Sequence, residues 1–327
     1  MTISGQGSVP IRETLSSERE LVVACGSDEG YAVHMLVMLR TLLKAHHDAV
    51  TFRVYIMDGG IHPQTRVRFD RLLAREKRLS YEWLNVDFEE LSGLMSDSWI
   101  PHLSSAALMR LLLPELLPKT VEKLLYIDSD VIVEKDVCSF YDMPFRGKHL
   151  IGVQDFNQPS LAYIAAKESS VPATAPTFNS GILMMNLTRF RETGYMKRVT
   201  EAMRRQPTWS DQEGLNAILF DEWILASFIY NMQSSGMNPT TVPESSLKEE
   251  MMGWGVDRLR SEAVMLHFTG DRKPWAGRWR HPHRERYEAL LYESGWFSEA
   301  QWLSWKTKRM GSAATYWLQH RLQGQKN

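Results

Sequence analysis

Val121-Glu122-Lys123-Leu124-Leu125-Tyr126-Ile127-Asp128-Ser129-Asp130 sets a short apolar run directly before two carboxylates. The run Val121–Ile127 reads as a buried strand, and the stretches before it have the same form. Leu21–Cys25 ends in the turn Gly26-Ser27-Asp28-Glu29-Gly30, Thr51–Met57 ends in Asp58-Gly59-Gly60, and Leu79–Val86 is a third strand. Between them, Tyr31–Lys44 carries apolar residues at helical spacing and Pro63–Lys77 is an amphipathic, basic helix; another helix is expected over 104–113. Strands alternating with helices predict an α/β fold, a mainly parallel, Rossmann-like sheet covered by helices on both faces. Ligands of such sheets bind beyond the carboxyl ends of the strands, where Gly26–Tyr31, Asp58–Gly60 and Asp128–Asp130 all fall.

The second half is less regular. Phe178–Leu187 reads as a strand entered through Asn179-Ser180-Gly181, and Ala263–Phe268 as a late strand ending in Thr269-Gly270-Asp271. Ser210 and Glu213 form a capping box for a helix that begins Asp211-Gln212. Beyond Arg278 come Trp279, Trp296, Trp302, Trp305 and Trp317. Ser298 and Gln301 make a second capping box and Phe297 and Trp302 a hydrophobic staple, so this tail reads as amphipathic helix. The organisation expected is a polar leader over 1–20, one domain over 21–277 and a helical tail over 278–327.

The 327 residues are 43% hydrophobic, 24% charged and 10% aromatic, which excludes a disordered chain or a disulfide scaffold. Thirty-eight Lys and Arg against 39 Asp and Glu leave a net charge of −1, with no basic excess for nucleic acid. The charge is uneven: residues 271–327 hold 11 basic and 5 acidic side chains. Cys25 and Cys138 are far apart, as expected of a reducing compartment. The first twenty residues have no apolar core, and no run approaches the roughly 20 apolar residues that span a bilayer. The expected location is the cytoplasm, at most peripheral on the inner face of the membrane.

In extended backbone, residues i and i+2 face the same way, so Asp128 and Asp130 can meet one divalent cation. Hard oxygen ligands suit Mg²⁺ or Mn²⁺, which share their shell with phosphates. His267, near a strand end, joins them as the imidazole of a two-carboxylate, one-nitrogen set, which favours Mn²⁺ over Mg²⁺. Gly270 permits close backbone approach, Lys273 brings a point charge for a phosphate, and Trp275 can close over the site.

Taken in order, Asp28-Glu29-Gly30-Tyr31-Ala32, Asp58-Gly59-Gly60-Ile61, Arg110, Leu125-Tyr126-Ile127-Asp128-Ser129-Asp130, Phe178-Asn179-Ser180-Gly181, Asp211-Gln212 with Leu215-Asn216, and His267 with Gly270 and Lys273-Pro274-Trp275 resemble the family 8 retaining glycosyltransferases. That group contains bacterial lipo-oligosaccharide galactosyl- and glucosyltransferases and glycogenin. The resemblance covers Leu21 to Trp275 and implies a GT-A fold and a hexosyltransferase acting on a UDP-sugar. It implies that Asp128, Asp130 and His267 hold Mn²⁺, and that Asp28, Glu29, Tyr31 and Ser129 line the nucleotide. Gly270 and Lys273 would contact the diphosphate; Arg110, Asn179, Ser180, Asp155, Asp211 and Gln212 would surround the transferred sugar, the last three at the reacting carbon. Gly30 stands where the family often has Asn, and Glu29 where Asp is common.

Transfer of a glucose or galactose with retention gives an α-linkage. Gln212 is a poor nucleophile, which favours same-face attack with the departing phosphate taking the acceptor proton. The acceptor is a hydroxyl of a carbohydrate, a glycolipid or a protein. Gln154–Thr177 reads as a flap over the donor and Ser234–Trp254 as part of the acceptor side. The competing readings are a sugar-1-phosphate nucleotidylyltransferase, which lacks support because Gly26–Tyr31 holds no Lys or Arg, and a non-catalytic sugar-binding protein on the same fold. The tail packs on the domain, forms an oligomer interface or lies on an anionic membrane. His46, His47, His281 and His283 are expected at the surface, and Met35, Met38, Met184 and Met185 in the core.

Overall fold

A computed structural model describes residues 19–85, 109–234, 240, 242–276 and 281–309. Residues 1–18 of the expected leader, the first half of the 104–113 helix, Trp279 and Trp317 lie outside them. Seven strands form the main sheet: β1 (Arg19–Ser27), β2 (Val50–Asp58), β3 (Leu79–Asn85), β4 (Lys123–Ile127), β6 (Leu150–Gln154), β7 (Phe178–Asn186) and β8 (Trp223–Leu225). Their order is β3-β2-β1-β4-β7-β6-β8, and β7 alone of the seven runs antiparallel to its neighbours. The mainly parallel sheet is therefore as expected, with one reversed strand in its centre.

The pleat sorts the apolar run of β4 between two layers. Leu125 and Ile127 join the core beneath α1 (Ala32–Lys44), while Leu124 and Tyr126 join the opposite one. Helix α1 is rich in Leu and Met, good helix formers, and Met35 and Met38 are fully buried, as are Met184 and nearly Met185 on β7. Helix α2 (Pro63–Leu73) packs on the same side through Phe69 and Leu73. The opposite layer is built from α3 (Leu187–Thr193), α4 (Tyr195–Arg205) and α5 (Asp211–Leu219). The left-handed Gly194, φ 62°, separates α3 from α4. The capping box of α5 is present, with Glu213 accepting from the Ser210 backbone N–H at 2.8 Å.

A second sheet decides the site. The chain passes from Asp130 straight into β5 (Val131–Val133), which pairs antiparallel with β10 (Met265–His267); β10 also pairs in parallel with β9 (Met232–Gln233). Register sets His267 opposite Val131. The late strand is thus brought onto the residue after the second aspartate.

Residues 155–177 form an excursion in which Leu161, Ile164 and Val171 pack with Trp209, with a bridge between Ser160 and Pro176. His46 is buried, not exposed: Nδ1 bonds to the Leu42 carbonyl at 2.7 Å, and Nε2 accepts from the Val137 N–H at 3.0 Å. His281 and His283 are half-buried against Phe268. In the tail, α6 (Arg284–Glu293) packs on α1, and Trp296, Trp302 and Trp305 lie half-buried against the core. The Ser298–Gln301 capping box is formed at 3.0 and 3.4 Å. No helix among the described residues is long and apolar enough to cross a membrane.

Candidate active site

Asp28 and Asp128 follow the carboxyl ends of parallel strands, Asp155 follows β6, and Asn179, Ser180 and Gly181 open the reversed β7. Because β7 is reversed, its amino end lies at the same sheet edge as the others' carboxyl ends. One cleft results.

Asp128, Asp130 and His267 offer ligand atoms within 4.8 Å of one another. Nε2 of His267 lies 3.3 Å from Asp130 Oδ1 and 3.9 Å from Asp128 Oδ2. Their convergence depends on Gly181: a Cβ there would sit 2.2 Å from His267 Cε1 and 2.6 Å from Asp128 Oδ2. The Tyr126 hydroxyl, on the same pleat face, donates to Asp128 Oδ1 at 2.7 Å. Burial opposes the charge on Asp130, but His267 and Lys273 outweigh it and hold the carboxyl well below its usual range. Lys273 pairs with Asp130 and also donates to the Phe268 carbonyl. Two hard carboxylates and one imidazole, crowded on a glycine, suit a divalent cation.

Arg110 lies beside this set, almost fully buried across the Tyr126 ring at 4.6 Å. Its Nη2 is 3.2 Å from Asp128 Oδ1, its Nε 2.9 Å from Asp211 Oδ2, and Nη1 donates to the Ser180 carbonyl. Burial pushes the Asp211 carboxyl up to about 6 against the pull of Arg110. Arg110 thus joins Asp128 to the helix-start Asp211.

Asp155 likewise does two things. Oδ1 caps its turn, accepting from the Asn157 and Gln158 N–H groups at 2.8 Å each, while Oδ2 accepts from Asn179 Nδ2 and Gln212 Nε2 at 3.1 Å each. The Gln212 carbonyl is turned into the protein, taking the Ser180 N–H at 2.9 Å and more distant donors from Ser180 Oγ and Asn179. Asp155, Asn179, Ser180, Asp211 and Gln212 therefore form one corner next to Asp128.

The expected nucleotide end is more mixed. Asp28 caps the turn Glu29–Tyr31 by accepting the Tyr31 N–H at 3.0 Å. The Glu29 carboxylate accepts from His62 N–H and Thr65 Oγ1 at 2.9 Å each, so it secures the start of α2. Ser129 donates to the Gly26 carbonyl at 2.7 Å, tying the acidic turn to β1. Tyr31 meets Trp275 edge-on at 5.9 Å, with His34 stacked on Trp275 at 3.8 Å, and Gly270 is left-handed at φ 73°.

Sequence reading missed Asn231 and Gln233. Both are fully buried: Asn231 accepts from His267 Nδ1 at 3.0 Å, and Gln233 takes the Phe156 N–H at 2.9 Å. Lone amides in an apolar stretch leave no pattern; only β9 beside β10 exposes their role. A second group, His46, Asp136 and Cys138, also gathers potential ligand atoms among the described residues. There the His46 lone pair already accepts Val137 N–H, and Asp136 accepts Cys138 N–H at 2.6 Å, so the group is a satisfied structural corner.

Known proteins resemble this chain over most of its length. General stress protein A of Bacillus subtilis is 27% identical over 84% of this chain and 94% of that protein. Lipopolysaccharide glucosyltransferase WaaO of Escherichia coli is 24% identical over 86% of this chain and 80% of its own. The crystal structure of the galactosyltransferase LgtC with donor and acceptor sugar analogues superposes with TM-score 0.69 at 21% identity, over 87% of this chain and all of that one, which places the fold among the GT-A glycosyltransferases. Residues 22–278 match the family model of Glycosyl transferase family 8, and with more than half of its length so matched the chain belongs to that family, an enzyme of the hexosyltransferase class.

Proposed function

We propose that this enzyme moves a hexose, glucose or galactose, from a UDP-sugar to a carbohydrate hydroxyl with retention, forming an α-linkage with the help of Mn²⁺. The single observation that carries the reading is the meeting of Asp128, Asp130 and His267 beside Lys273 on one flank and the Arg110–Asp211 and Asp155–Gln212 corner on the other. In this reading residues 21–277 form the catalytic domain and 278–327 a packed tail. Asp128, Asp130 and His267 would hold a divalent cation, which would supply positive charge to the departing diphosphate.

The chain's own residues do the rest. Lys273 adds a point charge where the leaving group forms. Asp211, turned toward the cleft by Arg110, and Asp155 present negative charge to the cation-like sugar ring. Four donors already occupy Asp155 and a guanidinium holds Asp211, so neither carboxylate is free to attack the anomeric carbon. That favours same-face attack, with the leaving phosphate accepting the acceptor's proton; a trapped covalent sugar on Asp155 or Asp211 would overturn it.

Thermal shift with UDP, UDP-glucose and UDP-galactose, in Mn²⁺ or EDTA, tests the donor reading, since a ligand of the native state raises the melting temperature. Stabilisation that requires Mn²⁺ and is lost in Asp130→Ala is expected, followed by sugar transfer from the stabilising donor. No shift with any nucleotide would sink the reading; a shift without transfer to any glycan acceptor would favour a binding protein.

A further inference from the structure

The hydrogen bonds behind His267 run in one direction, and that direction is set far from the ring. Asp155 Oδ2 accepts from Asn179 Nδ2 at 3.1 Å, and a carboxylate offers only acceptors. The Gly181 backbone N–H donates to Asn179 Oδ1 at 3.1 Å, and a backbone N–H can only donate. These two contacts leave one orientation for the Asn179 amide. Asn231 must then present Nδ2 to Asn179 Oδ1, at 2.9 Å, and its own Oδ1 to His267 Nδ1, at 3.0 Å. Nδ1 therefore carries a proton, and Nε2, which faces Asp130 and Asp128, is the nitrogen left to a cation. Asn231 is fully buried, and Asn179, Asp155 and His267 nearly so. Reversing the chain would leave buried donors and acceptors unpaired.

We propose that Asn231 is a positioning residue of this site, acting through His267 to fix the tautomer whose Nε2 faces the two aspartates. Through Asn179 it also couples the ring to the Asp155–Gln212 corner. The inference rests on the reading of Asp128, Asp130 and His267 as a Mn²⁺ site. It goes beyond the three ligands because outer partners of a ligating histidine set both its tautomer and its aim.

Two measurements test it. Long-range ¹H–¹⁵N spectra of the histidine-labelled native protein without metal, assigned against His267→Gln, should show His267 protonated at Nδ1. Mn²⁺ titrations followed by electron paramagnetic resonance should then show affinity about 10–100-fold weaker in Asn231→Leu. Asn231→Asp, which keeps an acceptor facing Nδ1 but loses the donor to Asn179, should recover part of that loss. A native ring whose Nδ1 carries no proton, or Asn231→Leu binding Mn²⁺ as tightly as the native protein, would overturn the inference alone. Native protein that binds no Mn²⁺ would overturn the metal reading and this inference together. The native spectrum and Asn231→Asp decide the matter even where Asn231→Leu fails to fold.

Discussion

Gly181→Ala should disable the metal site with a single methyl group. The added Cβ would stand 2.2 Å from His267 Cε1, 2.9 Å from His267 Nε2 and 2.6 Å from Asp128 Oδ2. To regain the 3.4 Å at which ordinary contact begins, the ring must withdraw by about 1.2 Å, the difference between the two distances. Metal–ligand bonds tolerate only about 0.2 Å. His267 is buried between β5 and β9, so it has little room to retreat. Disturbing an outer partner of a ligand already weakens binding about 10–100-fold; displacing the ligand itself should reach at least the upper end, about 2.7 kcal/mol. Overpacking should also lower stability by about 1–3 kcal/mol. The assay is Mn²⁺ titration by electron paramagnetic resonance, with urea unfolding of the same samples. Gly214→Ala is the control, because its Cβ meets the Met203 side chain, at 2.6 Å from Cγ, and Val199 Cγ1 at 3.4 Å, with none of the three site residues; it should lose stability and keep Mn²⁺. Native-like Mn²⁺ affinity in a folded Gly181→Ala protein would refute the reasoning.

Arg110→Met strands the buried Asp211 carboxylate and should destabilise the protein by about 3–5 kcal/mol in urea unfolding; adding Asp211→Asn should return part of that loss. His34, stacked on Trp275 and bonded to Tyr287 of α6, has its imidazole pushed by burial down to about 3. A depressed pKa contributes stability above the unfolded value of roughly 6.5 that is lost as pH falls, so about 2 kcal/mol should disappear by pH 5. His34→Gln should flatten that acid limb in unfolding curves taken between pH 7 and 5; an unchanged limb would contradict the assignment. Cys25 is fully buried, and Cys138, half-buried beside Asp136, has its thiol raised to about 11. Neither should react with iodoacetamide at pH 8 in the native protein, whereas both should in urea, as read by mass spectrometry.

The strand–turn–helix opening and the acidic turn after β4 were legible because they are local. An apolar run bounded by glycine, or two acids spaced to share one face of extended chain, carries its meaning within a few residues. Likewise Ser210–Glu213 and Ser298–Gln301 cap helices through bonds three residues apart, so their pattern survives in the chain alone. The roles of Glu29 and Ser129 did not, since each is spent on a partner in another element, His62 and Gly26 respectively. The same holds for the buried His46, whose neighbours are Leu42 and Val137. The reversal of β7 was equally hidden, because a strand buried on both faces is apolar whichever way it runs. Asn231 is the extreme case: it gains its meaning from β9 lying beside β10, and from a donor–acceptor order imposed at Asp155, 76 positions earlier in the chain. By itself, the sequence determined the layered α/β architecture and the residue types able to hold a cation and a diphosphate, because periodicity and side-chain chemistry are local properties. Only the tertiary structure decided which atoms of those residues face one another, because hydrogen-bond direction and strand register depend on partners that the chain order keeps far apart.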